Sequence, residues 1–556
     1  MPGSNDAHSA EHGVETSATQ RPPAARPVLA VLASGQFLMT LDSSVMNVSM
    51  ADVAADLNTP ITGIQVAITL YTLVMATSMI TGGRIGTRLG RRRAFGVGLV
   101  VYGAGSLTTA LTPNPAVLLL GWSLLEGLGA ALILPAIVAL VAANFPGPRR
   151  SAAYGMVAAA GAIGIAAGPL IGGTVTTYAS WRYVFAGEVV LVVVILLALR
   201  RLADVSPTDA RMDPVGTLLS VLGLGALVYG VLRAGEWGWV QAAPQAPRIF
   251  GLSPVIWLIV SGLVVLYGFL RWESRLAARG REPLVDPALL RNRRLTGGLG
   301  LFFAQFLVQG GVFFTVPLFL SVVLELSAVE TGLRILPLSI ALVLTAIGIP
   351  RFAPRAGPRR VVRLGLAAMV CGIVVLIAGL DPTVDARVVT VPMILLGLGL
   401  GALSAQLGAV TVSAVPDSRS AEVGGLQNTG TSLGTSVGTA LMGSVLIAAL
   451  TTSVLDGITG NPAVPESVQQ QATTRLTAGA PFVSTTQLQQ SLGAAGVPAP
   501  TAQAIVEANA DARLSALRAA LMVAAVFAVL ALFGTGRLPR APVGGRQHSG
   551  GEPRRS

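Results

Sequence analysis

Gly83-Arg84-Ile85-Gly86-Thr87-Arg88-Leu89-Gly90-Arg91-Arg92-Arg93 is one of two stretches that decide the fold. The other lies 267 residues on: Pro350-Arg351-Phe352-Ala353-Pro354-Arg355-Ala356-Gly357-Pro358-Arg359-Arg360. Arg84, Arg88, Gly90, Arg92 and Arg93 recur as Arg351, Arg355, Gly357, Arg359 and Arg360. A second match appears at a shift of 270, where Pro146, Arg149, Gly155, Gly164, Gly168 and Gly173 recur as Pro416, Arg419, Gly425, Gly434, Gly438 and Gly443. Two independent matches at nearly one offset mean that the chain holds two copies of one unit, a common construction in membrane transporters.

Composition agrees. Of 556 residues, 52% are apolar and only 12% charged, with a mean hydropathy of +0.69. A soluble chain sits nearer a quarter charged. Many uncharged stretches are about twenty residues long, enough to span ~30 Å of hydrocarbon. The chain reads as an all-α polytopic membrane protein.

Spans are expected at about 28–49, 63–82, 95–111, 116–142, 153–175, 183–199, 214–232, 253–270, 298–323, 332–350, 361–380, 388–414, 424–450 and 517–535. Thr112-Pro113-Asn114-Pro115 divides the third from the fourth, because successive prolines suit a turn. The expected organisation is a tail (1–27), a six-helix bundle (28–200), an inserted helix pair (201–297), a second six-helix bundle (298–535) and a tail (536–556). The second bundle carries a long polar segment at 451–515, outside the membrane. The first tail lacks the apolar core of a signal peptide and reads as disordered.

With both termini in the cytoplasm, 30 of the 38 arginines fall in inward segments, alternating loop by loop. The net charge of +12 therefore reflects topology and contact with anionic inner-leaflet lipid, and nucleic acid is not an expected partner.

The absences narrow the chemistry. All 38 basic residues are arginine, and without lysine there is no phosphate-cradling P-loop. His8, His12 and His548 lie in the tails, which removes histidine bases and histidine metal sites from the membrane body. Cys371, the single cysteine, sits in an apolar run and reads as a small buried hydrophobe. Arginine-only basic usage with abundant Ala, Gly and Val suggests a GC-rich genome such as an actinobacterium's.

These motifs resemble the major facilitator superfamily, specifically its fourteen-helix drug:proton antiporter branch. Gly83 to Arg93 is similar to that family's loop between helices 2 and 3, G-x-L-a-D-r-x-G-r-r. Gly164-Ile165-Ala166-Ala167-Gly168-Pro169-Leu170-Ile171-Gly172-Gly173 matches the helix-5 antiporter signature G-x-x-x-G-P-x-x-G-G. Leu41-Asp42-Ser43-Ser44-Val45-Met46-Asn47-Val48 resembles the helix-1 motif, and Trp181-Arg182-Tyr183-Val184-Phe185 the start of helix 6. The resemblance covers about residues 28–535. It implies a monomeric secondary transporter of the plasma membrane, driven by the proton gradient and needing no cofactor or metal. It also implies a gating latch at Gly83, Arg84, Arg88, Gly90, Arg91 and Arg92, and a sealing bend at Gly164, Gly168, Pro169, Gly172 and Gly173. Topology and helix packing alone would account for the same residues. The family's loop aspartate is Thr87 here and Pro354 in the second copy.

Three carboxylates fall inside expected spans. Asp42 lies roughly 21 Å along helix 1, Glu126 near the middle of helix 4, and Glu188 nearer the outer face on helix 6. An ionised carboxylate in hydrocarbon costs at least ~2.5 kcal/mol, so each should face the bundle interior or a water cavity. A carboxyl withdrawn from water favours its neutral form, and such a group can load a proton on one side and release it on the other. A proton crossing 100 mV supplies ~2.3 kcal/mol. The family's helix-4 motif has arginine and glutamine where this chain has Ser123 and Glu126, and Glu188 stands where asparagine is usual. Asn47, Gln427 and Asn428 offer hydrogen bonds to substrate, or equally to neighbouring helices.

The expected function is proton-coupled export of hydrophobic or cationic drugs or secondary metabolites by alternating access. Import of a polar nutrient, or a non-transporting receptor on the same fold, are the other readings. An enzyme lacks a nucleophile–base pair or metal cluster here.

Overall fold

The computed structural model describes residues 25–59, 61–145, 148–202, 212–242, 246–353, 355–381, 386–416, 419–459, 465–466, 469–470 and 482–541. Most of both tails, with His8, His12 and His548, lies outside the described residues, as do Pro354 and parts of 451–515.

Fourteen long helices run through the described residues. They are α1 (Ala25–Asp56), α2 (Ile61–Leu89), α3 (Arg91–Ala110), α4 (Pro115–Asn144), α5 (Pro148–Tyr178), α6 (Arg182–Ala198) and α7 (Pro214–Trp237). After them come α8 (Pro254–Ala278), α9 (Arg293–Val323), α10 (Ala328–Phe352), α11 (Pro358–Ala378), α12 (Thr390–Val412), α13 (Ser420–Thr459) and α14 (Ala499–Gly534). Thirteen are long and apolar enough to cross a membrane. The other is α3, which opens on three arginines and carries glycines, Ser106, Thr108 and Thr109.

Local chemistry sets several starts. Asn114, Asp213 and Ser253 each accept a backbone N–H at an N-cap, with proline in the first turn behind them. Ser327 and Glu330 close a capping box at the head of α10.

Two expectations change. The arginine stretch after span 2 is helical through Leu89, because nothing between Gly83 and Leu89 breaks the turn. The chain breaks at Gly90, whose φ of 89° suits a residue without a Cβ. The final helix starts at Ala499 rather than 517, since alanine-rich 499–516 is helix-forming although too polar for a hydropathy search. Likewise α13 runs to Thr459, and a short helix, Thr485–Ala494, lies between the two.

The repeat is visible in packing. On α5, a Cβ at Gly164 or Gly168 would run into Thr40 or Ser44 of α1; on α13, one at Gly434 or Gly438 would strike the backbone of Phe303 or Leu307 of α9. Gly98 of α3 meets Gly129 of α4 as Gly365 of α11 meets Gly399 of α12. Two six-helix bundles of one design result, α1–α6 and α9–α14. Helices α7 and α8 pack on each other, with α7 against α2 and α13.

The bundles meet where α5 faces α10 and α12, and where α13 faces α2 and α4. Glycines give the close approach: Gly155 sits on the carbonyl of Ala346, Gly424 on that of Pro135, and Gly425 on that of Met79. These contacts lie toward the face that carries the arginine-rich helix ends and the segment after α14. The opposite face carries the α13–α14 connection.

Candidate functional site

Inside the first bundle, α3 and α4 cross closely. Gly105 leaves no room for a side chain beside Glu126 and the carbonyl of Gly121, and Gly129 none beside Tyr102. Between Leu119 and Glu126, α4 is wound as a π-helix, which turns Trp122, Ser123 and Glu126 into the bundle. Ser123, standing where the family has arginine, donates 2.8 Å to the carbonyl of Ala67 on α2.

Asp42 of α1, Glu126 of α4 and Glu188 of α6 converge there, with one carboxylate oxygen from each within 4.8 Å of the others. All three are buried. Each is held by one oxygen. Trp122 Nε1 donates 2.7 Å to Asp42 Oδ1, and Thr109 Oγ1 donates 3.0 Å to Glu126 Oε1. Tyr102 and Ser106 donate 3.0 and 2.9 Å to Glu188 Oε2. The other oxygens, Asp42 Oδ2, Glu126 Oε2 and Glu188 Oε1, are buried without a hydrogen-bond partner. Tyr71 of α2 stacks on Trp122 with ring centroids 4.8 Å apart. Among the described residues, no ion pair reaches any of the three acids. Three like charges this close and this buried cannot all be ionised without compensation, so the cluster must take up a proton or another cation. No hydrogen bond joins the three free oxygens to one another.

Trp122, Tyr71, Tyr102, Ser106 and Thr109 were not singled out in the sequence. The available signal was polar and aromatic residues on adjoining apolar helices, which gives no direction without the π turn and the α3–α4 crossing.

The remaining candidates lie elsewhere. Asn47 and Asn428 bond to carbonyls of their own helices, Ser43 and Gly424, and Gln427 bonds to Thr411 on α12. On α5, the glycine face seats α1, and Ser44 donates 2.9 Å to the carbonyl of Ile165. Gly172 packs on Val45, and Gly173 follows half-buried. Pro169 lies within α5, its side chain outside the described residues. Trp181 and Arg182 both bind Asp56 at the end of α1, and Arg182 Nη2 donates 2.8 Å to the carbonyl of Thr112 after α3. They tie three helix ends together at the opposite face.

In the arginine stretch, buried Arg84 pairs with Glu282 at 2.7 Å, and Arg91 and Arg92 bond to the carbonyls of Ala139 and Leu202. Gly83 is buried and Arg88 exposed. Glu282 belongs to the segment joining α8 to α9, which also pairs Asp286 with Arg419 at 2.6 Å; Arg419 in turn approaches Glu422 at 3.8 Å. The connection from the inserted pair thus supplies carboxylates to an arginine of each bundle, where Thr87 leaves none within the stretch itself. Partial burial pushes the Asp286 carboxyl up, but the Ala288 amide and Arg419 outweigh it and hold it below the usual range.

Two copies of a six-helix bundle facing each other across a glycine-lined seam define a transporter rather than an enzyme. The family model of the Major Facilitator Superfamily matches residues 32–439, and the chain belongs to that superfamily. It is 32% identical to the puromycin resistance protein pur8 of Streptomyces alboniger, over 78% of this chain and 84% of that protein. It is 30% identical to the tetracenomycin C resistance and export protein of Streptomyces glaucescens, over 76% of each chain. The cephamycin export protein CmcT of Amycolatopsis lactamdurans is 30% identical, over 81% of this chain and 89% of that one. Among solved structures, the human organic anion transporter MFSD10 shares the fold with a TM-score of 0.56 and 13% identity, over 93% of this chain and 100% of that one.

Proposed function

We propose that this chain exports hydrophobic or cationic drugs, antibiotics or secondary metabolites across the plasma membrane in exchange for protons. It works by alternating access as a monomer, with no cofactor and with its arginine-rich face in the cytoplasm. The names of its relatives support the class of cargo. Thirty of 38 arginines on one side support the orientation.

The coupling reading rests on one observation: three buried acids on α1, α4 and α6 that converge within 4.8 Å, each with one oxygen left without a hydrogen-bond partner. A proton held by the cluster relieves the repulsion among its like charges. When the bundles rock and water enters from the outer side, the cluster loads; when water enters from the cytoplasmic side, it releases. Cargo moves the other way. The link from Glu282 and Asp286 to Arg84 and Arg419 holds the cytoplasmic ends together while the outer side is open.

Asp42→Asn with Glu126→Gln, tested for proton-driven efflux of ethidium from cells and uptake into inverted vesicles, examines this directly. Loss of transport with normal protein levels supports the reading. Undiminished transport removes the acids from coupling.

A further inference from the structure

The two copies of the arginine stretch are met differently. At the first, Glu282 pairs with Arg84. At the second, Arg359, Arg360 and Arg363 on the first two turns of α11 and Arg540 beyond α14 line, with Leu364, an open groove of about 440 Å³. Among the described residues, no carboxylate forms an ion pair with any of these four arginines. Arg359 Nε is buried without a hydrogen-bond partner.

The gathering of charge is built in. The backbone N–H of Arg359 donates 3.3 Å to the carbonyl of Pro539, and Arg363 Nε donates 2.9 Å to Thr535 Oγ1. The backbone of Arg540 rests on Gly357 so closely that a Cβ there would strike it. The segment after α14 is thereby pinned across the start of α11, and it carries a fourth like charge into the groove. Like charges held together raise the energy unless an anion joins them.

Position selects the anion. The apolar span of α11 starts at Pro358, so the arginines stand at the boundary of the hydrocarbon. From Arg360 and Arg363, one exposed face continues through Leu364, Ala367, Cys371 and Val374, at helical spacing. A free phosphate would use only the arginines. A phospholipid uses both, with its headgroup on the guanidinium forks and its acyl chain along the stripe.

We propose that this groove binds the phosphate headgroup of an anionic phospholipid from the arginine-rich leaflet, and that the lipid fastens the segment after α14 to α11. Native mass spectrometry of the full-length protein with added phosphatidylglycerol tests it. Arg360→Ala/Arg540→Ala should weaken retention of phosphatidylglycerol by more than about tenfold, at roughly 1 kcal/mol per arginine. Arg351→Ala/Arg355→Ala, with the same loss of charge outside the groove, should retain it as the parent does. Equal loss in both pairs would mean diffuse surface attraction and overturns the site. Full displacement of the lipid by inorganic phosphate would mean a free-anion site and overturns the lipid assignment. Should the alanine pair fail to fold, Arg360→Gln/Arg540→Gln gives the same comparison.

Discussion

Trp122 Nε1 donates a 2.7 Å hydrogen bond to Oδ1 of Asp42, linking α4 to α1 in the interior of the first bundle. Tyr71 stacks on a face of the same indole, so the ring is held both at its N–H edge and on its face. One oxygen of Asp42 is therefore held, and the other, Oδ2, is buried without a hydrogen-bond partner.

Trp122→Phe keeps an aromatic ring against Tyr71 and removes the donor. An unpaired buried acceptor costs about 1–3 kcal/mol. Proton-driven ethidium efflux should fall and its dependence on pH should change, measured in inverted vesicles across a pH series. A merely structural tryptophan would reduce the amount of folded protein and leave the pH profile in place.

Asp42, Glu126 and Glu188 should behave as one unit. Each single amide variant should lower efflux about tenfold or more, and pairs should lose less than the product of the singles, because the first substitution already breaks the shared site. Initial efflux rates of the three singles and three doubles give the coupling. Independent, multiplicative losses would contradict a shared proton.

The glycine seams should be equivalent. Gly168→Ala forces a methyl into Ser44, and Gly438→Ala forces one into the backbone of Leu307. Each should destabilise the purified protein by about 1–3 kcal/mol, read as lower thermal stability. Either variant matching the parent would break the parallel between α1–α5 and α9–α13.

The link from the α8–α9 segment should restrain the seam. Because Asp286 is held below its usual carboxylate range, its contribution is present at neutral pH and is lost only as pH falls through that lowered value. Mild acid should leave the Asp286–Arg419 pair intact. Removing charge should not: Glu282→Gln with Asp286→Asn should speed maleimide labelling of Met79→Cys, made in a Cys371→Ser background and assayed in inverted vesicles. Unchanged labelling would show that the link does not hold the gate.

Much of this fold is legible in the sequence because hydrocarbon thickness fixes span length and arginine placement fixes alternation. Gly164 and Gly168 could be matched to Gly434 and Gly438 from spacing alone, and their contacts repeat. The polar helix at 499–516 was not legible, since hydropathy registers burial in lipid and not helix propensity. For the site, the cost of burying charge flagged Asp42, Glu126 and Glu188 separately. Their convergence depends on a π turn at Leu119–Glu126 and a crossing at Gly105, which are properties of packing. Glu282 and Asp286 were invisible as partners of Arg84 and Arg419, because pairs 198 and 133 residues apart leave no local pattern.

Proton movement against cargo is the most direct test. In proteoliposomes containing a pH reporter and starting with no pH difference, an imposed ethidium gradient should drive protons in the opposite direction through the parent protein. Asp42→Asn/Glu126→Gln/Glu188→Gln, reconstituted to the same level, should move none. Ethidium crossing with no proton counterflow in the parent, or undiminished counterflow in the triple variant, would contradict the account.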